Sequence, residues 1–272
     1  EIAQCLVGSE MCIRDSIMDI EKATVLFFSG TGTTEGYARA FEEGLPCDAQ
    51  VMEIRRDADM PEAMGPHELL VLAVPAYAGW APPFVWEKLE GLRGDEAPAV
   101  LLAVYGARDY DSALFEMEEK LREKGFVTVG AAALVARHSI AQEIASDRPD
   151  AGDLDEVRGF ACGVAKRLRS VDGAGKWPPY DFKHYEVDLN PHVYPVTADG
   201  CTMCGTCADE CPVGAIPLDA PNTLDQEVCA SCLRCIEVCP ESARHLPEGL
   251  AERCAAMLQC EGADPNKPNE FF

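Results

Sequence analysis

The chain has 272 residues, 47% of them hydrophobic, which is enough to build one medium domain and one small one. Its formal net charge of −24, from 23 Lys and Arg against 47 Asp and Glu, argues against nucleic acid or an anionic membrane as a partner. That charge leaves a basic protein partner, or plain solubility, as its meaning, and no apolar run reaches the ~18 residues of a membrane-spanning helix.

Residues Glu1 to Ser16 (EIAQCLVGSEMCIRDS) match no element that follows. The string CLVGSEMCIRDS resembles a translated adapter read-through. The natural start is therefore expected at Met18, residues 1–17 are set aside as a non-native extension, and Cys5 and Cys12 are excluded from functional reasoning.

From residue 18 to 171 the pattern predicts alternating strands and helices. Ala23–Phe28 reads as a buried strand, Ser29–Thr34 as a Gly/Thr turn, and Glu35–Gly44 as a helix with Tyr37, Ala38 and Phe41 on one face. Strands follow at Gln50–Ile54, Glu68–Val74, Ala99–Tyr105 and Phe126–Ala136. Helices are predicted at Pro83–Leu92, at Asp111–Lys124 with Leu114, Met117 and Leu121 at helical spacing, and at Asp153–Ser170. Five strands alternating with helices predict an α/β fold with a doubly wound parallel sheet, which binds ligands beyond the carboxyl ends of its strands where the strand order reverses. Residues 172–198 are rich in Gly and Pro and read as a connecting segment, with Trp177, Tyr180, Phe182 and Tyr185 packing it across the domains. Residues 199–249 form a second, small module. Residues 250–272 supply a short helix, Leu250–Leu258, and a polar tail expected to fray.

The small module carries the strongest motif. Cys201-x-x-Cys204-x-x-Cys207-x-x-x-Cys211-Pro212 is repeated 28 residues later as Cys229-x-x-Cys232-x-x-Cys235-x-x-x-Cys239-Pro240, and Ala215 and Ala243 share the offset. This is the bacterial-ferredoxin run, in which three cysteines wrap one iron–sulfur cube and the fourth reaches the other. The spacing assigns Cys201, Cys204, Cys207 and Cys239 to one [4Fe–4S] cluster and Cys229, Cys232, Cys235 and Cys211 to a second. A pair of structural zinc sites is the competing reading, but zinc needs neither the third cysteine nor the trailing Cys-Pro. Cluster thiolates fit a reducing cytoplasmic setting better than a secreted disulfide framework. Cys47, Cys162, Cys254 and Cys260 fall outside both runs and read as incidental thiols.

Ser29-Gly30-Thr31-Gly32-Thr33-Thr34 follows a strand and opens a helix, so its N–H groups and hydroxyls can surround a phosphate. With no Lys or Arg in the loop, the monophosphate of FMN is preferred to a pyrophosphate. A dinucleotide alternative rests on Gly30, Gly32 and Gly36, with Glu53 as its ribose ligand. Two further loops lie at strand carboxyl ends: Pro75-Ala76-Tyr77-Ala78-Gly79-Trp80 and Tyr105-Gly106-Ala107-Arg108-Asp109-Tyr110. Tyr77, Trp80 and Tyr110 are candidates to stack on a flavin ring, with the N–H groups of Gly79 and Gly106 at its polar edge. His138 reads as a hydrogen-bonded structural histidine, and no acid–base constellation stands out, so no catalytic residue is assigned.

Through FFSGTGTT, VPAYAGWAPP, VYGARDYDSAL, RHSI with the later DRPD, and the doubled cysteine run, the chain resembles the EFR1-type flavodoxin–ferredoxin fusion family over about Thr24 to Leu246. The resemblance implies a flavodoxin-like five-stranded sheet followed by an α+β ferredoxin-like domain with two [4Fe–4S] clusters. It also implies that the loops at Ser29–Thr34, Pro75–Trp80 and Tyr105–Tyr110 contact FMN. The family loop commonly reads TGNT; here Thr33 puts a hydroxyl in place of the amide donor. The leading functional expectation is an electron-transfer protein relaying single electrons between two clusters and FMN, with a redox protein partner of basic surface. The alternatives are a flavin-dependent reductase acting on a small-molecule acceptor and a module whose clusters are structural or sense oxygen.

Overall fold

The computed structural model describes residues 20–170, 177–186 and 192–272. The N-terminal extension set aside above therefore lies outside the described residues, as do parts of the connecting segment.

Strand β1 (Lys22–Phe27) leads through a tight loop into helix α1 (Thr33–Glu43), which returns the chain to β2 (Asp48–Glu53). A short β3 (Ala63–Met64) precedes β4 (Glu68–Pro75). Then come α2 (Pro83–Lys88), β5 (Arg93–Gly94), β6 (Pro98–Tyr105), α3 (Ala113–Glu123), β7 (Val127–Val135) and the long α4 (Ala151–Ser170). Strands β1, β2, β4, β6 and β7 pair in parallel. In order of the long strands along the chain, the sheet runs 2-1-3-4-5, the flavodoxin-like order, and the order reverses between β1 and β4.

The strands alternate across two apolar layers, as a sheet covered on both faces requires. Leu70, Leu72 and Val74 of β4 join Leu26, Leu101, Val85, Leu114 and Met117 beneath α2 and α3. Leu69, Val71 and Ala73 join Val25, Tyr37, Phe41, Val157 and Val164 beneath α1 and α4. Each fully buried Leu, Val or Phe contributes about 1.5–3 kcal/mol. Tyr37 is also tied to the far side of the sheet, because its hydroxyl donates to the Val135 carbonyl at 2.6 Å.

The sheet has a sixth strand. β10 (Glu270–Phe271) pairs antiparallel with β7, Glu270 opposite Ala133 and Phe271 opposite Ala132. The expected frayed tail is thus corrected to an ordered edge strand, and the five-stranded sheet to six strands with one antiparallel edge. The anchors are non-local. Phe272 N–H donates to Ala131 at 2.8 Å, and Asn269 accepts from Val135 N–H at 2.9 Å while donating to Asp153 and Glu156. Helix α7 (Leu250–Cys260) buries Ala255 and Leu258 in the same layer as α2 and α3. Residues 177–186 of the connecting segment lie on the α/β unit: Trp177 stacks under Arg167, Phe182 meets Phe272 edge-on, and Tyr185 N–H donates to the Ser112 hydroxyl at 2.8 Å.

The cysteine module consists of β8 (Val196–Thr197), the one-turn helices α5 (Thr206–Asp209) and α6 (Arg234–Glu237), and β9 (Arg244–His245), which pairs antiparallel with β8. The 28-residue repeat extends to the backbone. Left-handed residues recur at Met203 and Ser231, Gly205 and Leu233, and Gly214 and Ser242. Both halves therefore follow one path, although the second half adopts it with side chains where the first has glycine at two of the three pairs.

Candidate functional site: a cavity between the sheet and the cysteine module

The phosphate-type loop is built from β1. Phe28 continues the strand into the core, and Gly32 caps α1 in the left-handed region with φ 88° and no side-chain cap. The first-turn N–H groups of α1 therefore have no acceptor from a capping side chain, a ready anion site. At the base of the loop the Ser29 hydroxyl is buried without a partner among the described residues. Thr31, Thr33 and Thr34 face a cavity of about 1170 Å³ that opens at the switch point between β1 and β4.

The second loop forms its floor. Tyr77 and Trp80 bridge each other's backbones, with Ala78 and Gly79 in the left-handed region between them. Gly79 is required twice over, since a Cβ there would also sit 2.7 Å from Asp111. Tyr77 is half-buried with its ring edge-on to Phe28 at 6.4 Å, and enclosure of its hydroxyl pushes its pKa well up. Trp80 packs against His184 at 5.7 Å. Gly106 lets the third loop close on His138, whose Cδ2 would lie 2.3 Å from an added Cβ. Burial lowers the pKa of His138 to about 4, and its Nδ1 accepts from Ile140 and Ala141 N–H, so it is a neutral hydrogen-bond acceptor.

Of the residues singled out in the sequence, Gly30, Thr31, Thr33, Thr34, Ala76, Tyr77, Gly79, Trp80 and Gly106 line this one cavity. Ser29 and Gly32 are not on the wall: Ser29 is buried at the base of the loop, and Gly32 is exposed ahead of α1. Tyr110 does not reach it: its ring packs edge-on against Tyr105 at 5.6 Å, and burial, with the Glu270 carboxylate, raises its pKa to about 12. Many wall residues carry no site expectation from the sequence, among them a group on one helix. Cys254, Met257 and Leu258 of α7 close one side, and their i, i+3, i+4 spacing was the available signal.

The far wall is the cysteine module, which sits over the carboxyl ends of β1 and β2. Arg56 N–H donates to the Pro212 carbonyl at 2.7 Å, and Arg55 donates to Asp209 at 2.8 Å and pairs with Glu210. Arg234 is buried; it donates to the Ser29 carbonyl at 2.6 Å and pairs with Glu53. Glu53 is thereby held by Arg234 and Arg55, which removes the carboxylate that the dinucleotide alternative needed for a ribose. Cys229, Ala230 and Ser231 line the cavity, and a Cβ on Gly30 would lie 2.1 Å from the Cys232 carbonyl oxygen. The Ser29–Thr34 loop and the loop that carries Cys232 are thus in direct contact.

The cysteines fall into two crossed groups. Cys201, Cys204, Cys207 and Cys239 line a second, small cavity together with Pro221 and Arg244. Cys211, Cys229, Cys232 and Cys235 form the other group. Burial pushes both Cys232 and Cys235 up to about 12, and the nearby Cys232, Cys229 and Cys211 add to the rise at Cys235. Such thiols become thiolates only when a metal supplies the compensating charge. The donor set fits clusters in a further respect. Ala215 N–H donates to Cys211 Sγ and Ala243 N–H to Cys239 Sγ, both at 3.2 Å, so the repeated alanines give each trailing cysteine the same hydrogen-bond donor. For FMN, the orphaned Ser29 hydroxyl and the uncapped α1 terminus fit a phosphate, and the Tyr77 ring fits a planar ring system.

Fold and site together define a flavodoxin-like α/β domain joined to a ferredoxin-type cysteine module. Residues 194–216 match the family described as the 4Fe-4S binding domain. Ferredoxin-2 of Chlorobaculum tepidum is 41% identical over 49 residues, covering 15% of this chain and 79% of that protein. Through this segment the chain belongs to the 4Fe-4S ferredoxin family. A component of an ion-translocating oxidoreductase complex of Methanosarcina acetivorans is 38% identical over 60 residues, 22% of this chain and 23% of that one. The chain spans only about a fifth of the length of such oxidoreductase components. An archaeal flavodoxin superimposes with a TM-score of 0.40 at 19% identity, over 54% of this chain and 98% of that chain. Among the described residues no helix is long and apolar enough to cross a membrane.

Proposed function

We propose that the chain is an electron-transfer protein that holds FMN in the large cavity and two [4Fe–4S] clusters in the crossed cysteine groups. FMN takes electrons singly or in pairs and so links one-electron carriers to two-electron chemistry. The observation that carries this reading is the contact of Gly30 with Cys232, because it places the second cysteine group on the cavity wall itself. Thr31, Thr33 and Thr34 hold the phosphate with the buried Ser29 hydroxyl beneath the loop as a further donor, Tyr77 and Trp80 flank the ring, and Gly79 and Gly106 leave room at its edge. Arg234 and Arg55 clamp the two units so that the gap between them is fixed.

The cluster of Cys201, Cys204, Cys207 and Cys239 lies on the outer side, where Cys204 is exposed beside exposed Met203. This is the entry for a redox partner. Between Asp199 and Leu246 there are eight acidic residues and two basic ones, and both basic ones, Arg234 and Arg244, are buried. The outward charge is thus entirely negative and favours a basic partner. The presence of both halves in one chain supports membership of the EFR1-type fusion family. A second reading, a flavin-dependent reductase with its own small-molecule acceptor, is favoured by the size of the cavity, which exceeds the ~300–1,000 Å³ of ordinary ligand pockets.

Iron, acid-labile sulfide and flavin content of anaerobically purified protein tests the proposal. About eight irons and one FMN per chain support it; fewer than eight irons, or no flavin uptake, overturns it. Turnover of an acceptor without added carrier proteins would move the conclusion to the second reading.

A further inference from the structure

Among the positions buried in both halves, the 28-residue repeat that governs the cysteines, prolines, alanines and left-handed residues breaks at one. Ile216 follows Ala215 in the first half, and Arg244 follows Ala243 in the second. Ile216 and Arg244 are both 3% exposed. One Arg244 nitrogen, Nη2, is anchored to the Pro221 and Thr223 carbonyls at 2.6 and 2.7 Å. Its Nε and Nη1 are buried with no partner among the described residues. The side chain lines the small cavity of Cys201, Cys204, Cys207 and Cys239, and the Pro221 carbonyl that anchors it also lies 3.4 Å from Cys207 Sγ.

A guanidinium is always charged, and a buried one with free N–H groups is strongly unfavourable unless an anion meets it. The group that the four cysteines lining this cavity are spaced to hold is a cluster, whose negative charge grows on reduction. We infer that Arg244 donates charge-assisted hydrogen bonds to the cluster at Cys201, Cys204, Cys207 and Cys239, whose cavity it lines, and so raises that cluster's reduction potential. Hydrogen bonds and net charge at the sulfurs are the levers by which a protein sets such potentials. Arg244 is a positioning and tuning residue, and the inference rests on the cluster assignment proposed above.

The test is a redox titration followed by electron paramagnetic resonance on the full, anaerobically purified chain, comparing wild type with Arg244→Lys and Arg244→Gln. In Arg244→Gln one midpoint potential falls by the equivalent of a tenfold or larger change in the reduction equilibrium, ~59 mV for one electron. The other moves less, and Arg244→Lys is intermediate. Two unmoved potentials in variants that keep the wild-type iron content overturn the inference and leave the cluster assignment standing. Absence of two clusters in the wild type overturns the assignment instead. If the Gln variant fails to load iron, wild-type chain labelled with nitrogen-15 arginine decides. A nitrogen coupling at a reduced cluster that vanishes in Arg244→Lys supports the inference, and no coupling in the wild type rejects it.

Discussion

Replacing Gly30 with alanine puts a methyl group 2.1 Å from the Cys232 carbonyl oxygen and 2.8 Å from the Tyr77 hydroxyl. Carbon and oxygen ordinarily approach to ~3.3 Å, so one loop must retreat by roughly 1.2 Å. Neither can do so freely. Cys232 precedes Leu233 in a left-handed conformation, and Arg234 beyond it is hydrogen-bonded to Ser29. Overpacking of this kind costs about 1–3 kcal/mol, equivalent to a fall in Tm of about 2–10 °C for a domain of this size. Gly32→Ala is the control. It finds nothing within 4 Å but carries φ 88°, so it suffers the left-handed penalty of ~1 kcal/mol without a clash. The assay is thermal unfolding of cluster-loaded, flavin-free protein, followed by the rate at which electrons from reduced clusters reach added FMN. Gly30→Ala is expected to melt below Gly32→Ala and to transfer more slowly. Wild-type melting and wild-type transfer in Gly30→Ala would refute the claim that this glycine sets the contact between the two units.

Three other outcomes follow from particular side chains. Ser29→Ala leaves flavin-free stability nearly unchanged, because the hydroxyl has no partner among the described residues. It weakens FMN binding by about 10- to 150-fold, the ~1.5–3 kcal/mol of a hydrogen bond to a charged group, as read by fluorescence titration. His138 has its pKa lowered from 6.5 to about 4 by burial. The unfolded chain therefore binds the proton first, and stability present above pH 6.5 is lost as pH falls toward 4. Between pH 7.5 and 5.5 this histidine removes about 1 kcal/mol, and denaturant titrations of His138→Asn, which keeps an acceptor, should lack that slope. Deleting residues 270–272 bares the β7 edge and removes the Phe272 contacts. Tm is expected to fall by several degrees with a new tendency to associate, since an open edge strand recruits other chains; unchanged light scattering and Tm would show that the edge is protected otherwise.

What was legible in the sequence was local. The strands over Glu68–Pro75 and Pro98–Tyr105 are continuous apolar runs, and Leu114, Met117 and Leu121 sit at helical spacing. The cysteine repeat likewise stands out through spacing alone. What was illegible depended on partners distant in the chain. Glu53 looked free to hold a ribose until Arg234, 181 residues away, was placed beside it. Tyr110 looked like a stacking residue because it follows a strand, but its ring turns toward Tyr105. The tail looked frayed because its composition is polar, whereas its order comes from Asn269 and Arg148, whose acceptors and donors lie more than a hundred residues apart.

The return of the C-terminus to β7 changes what kind of joint connects the two units. The cysteine module is inserted within the α/β unit rather than appended to it: the chain leaves from α4, passes through the module, and comes back as α7 and β10 to complete the same sheet. A module tethered at one end explores space on its linker, and its encounter with a neighbour is governed by an effective concentration. A module held at both ends by one sheet has no such search to make. Its distance from the cavity is a fixed property of the fold, and during synthesis the sheet gains its last strand only after both cysteine runs have been made.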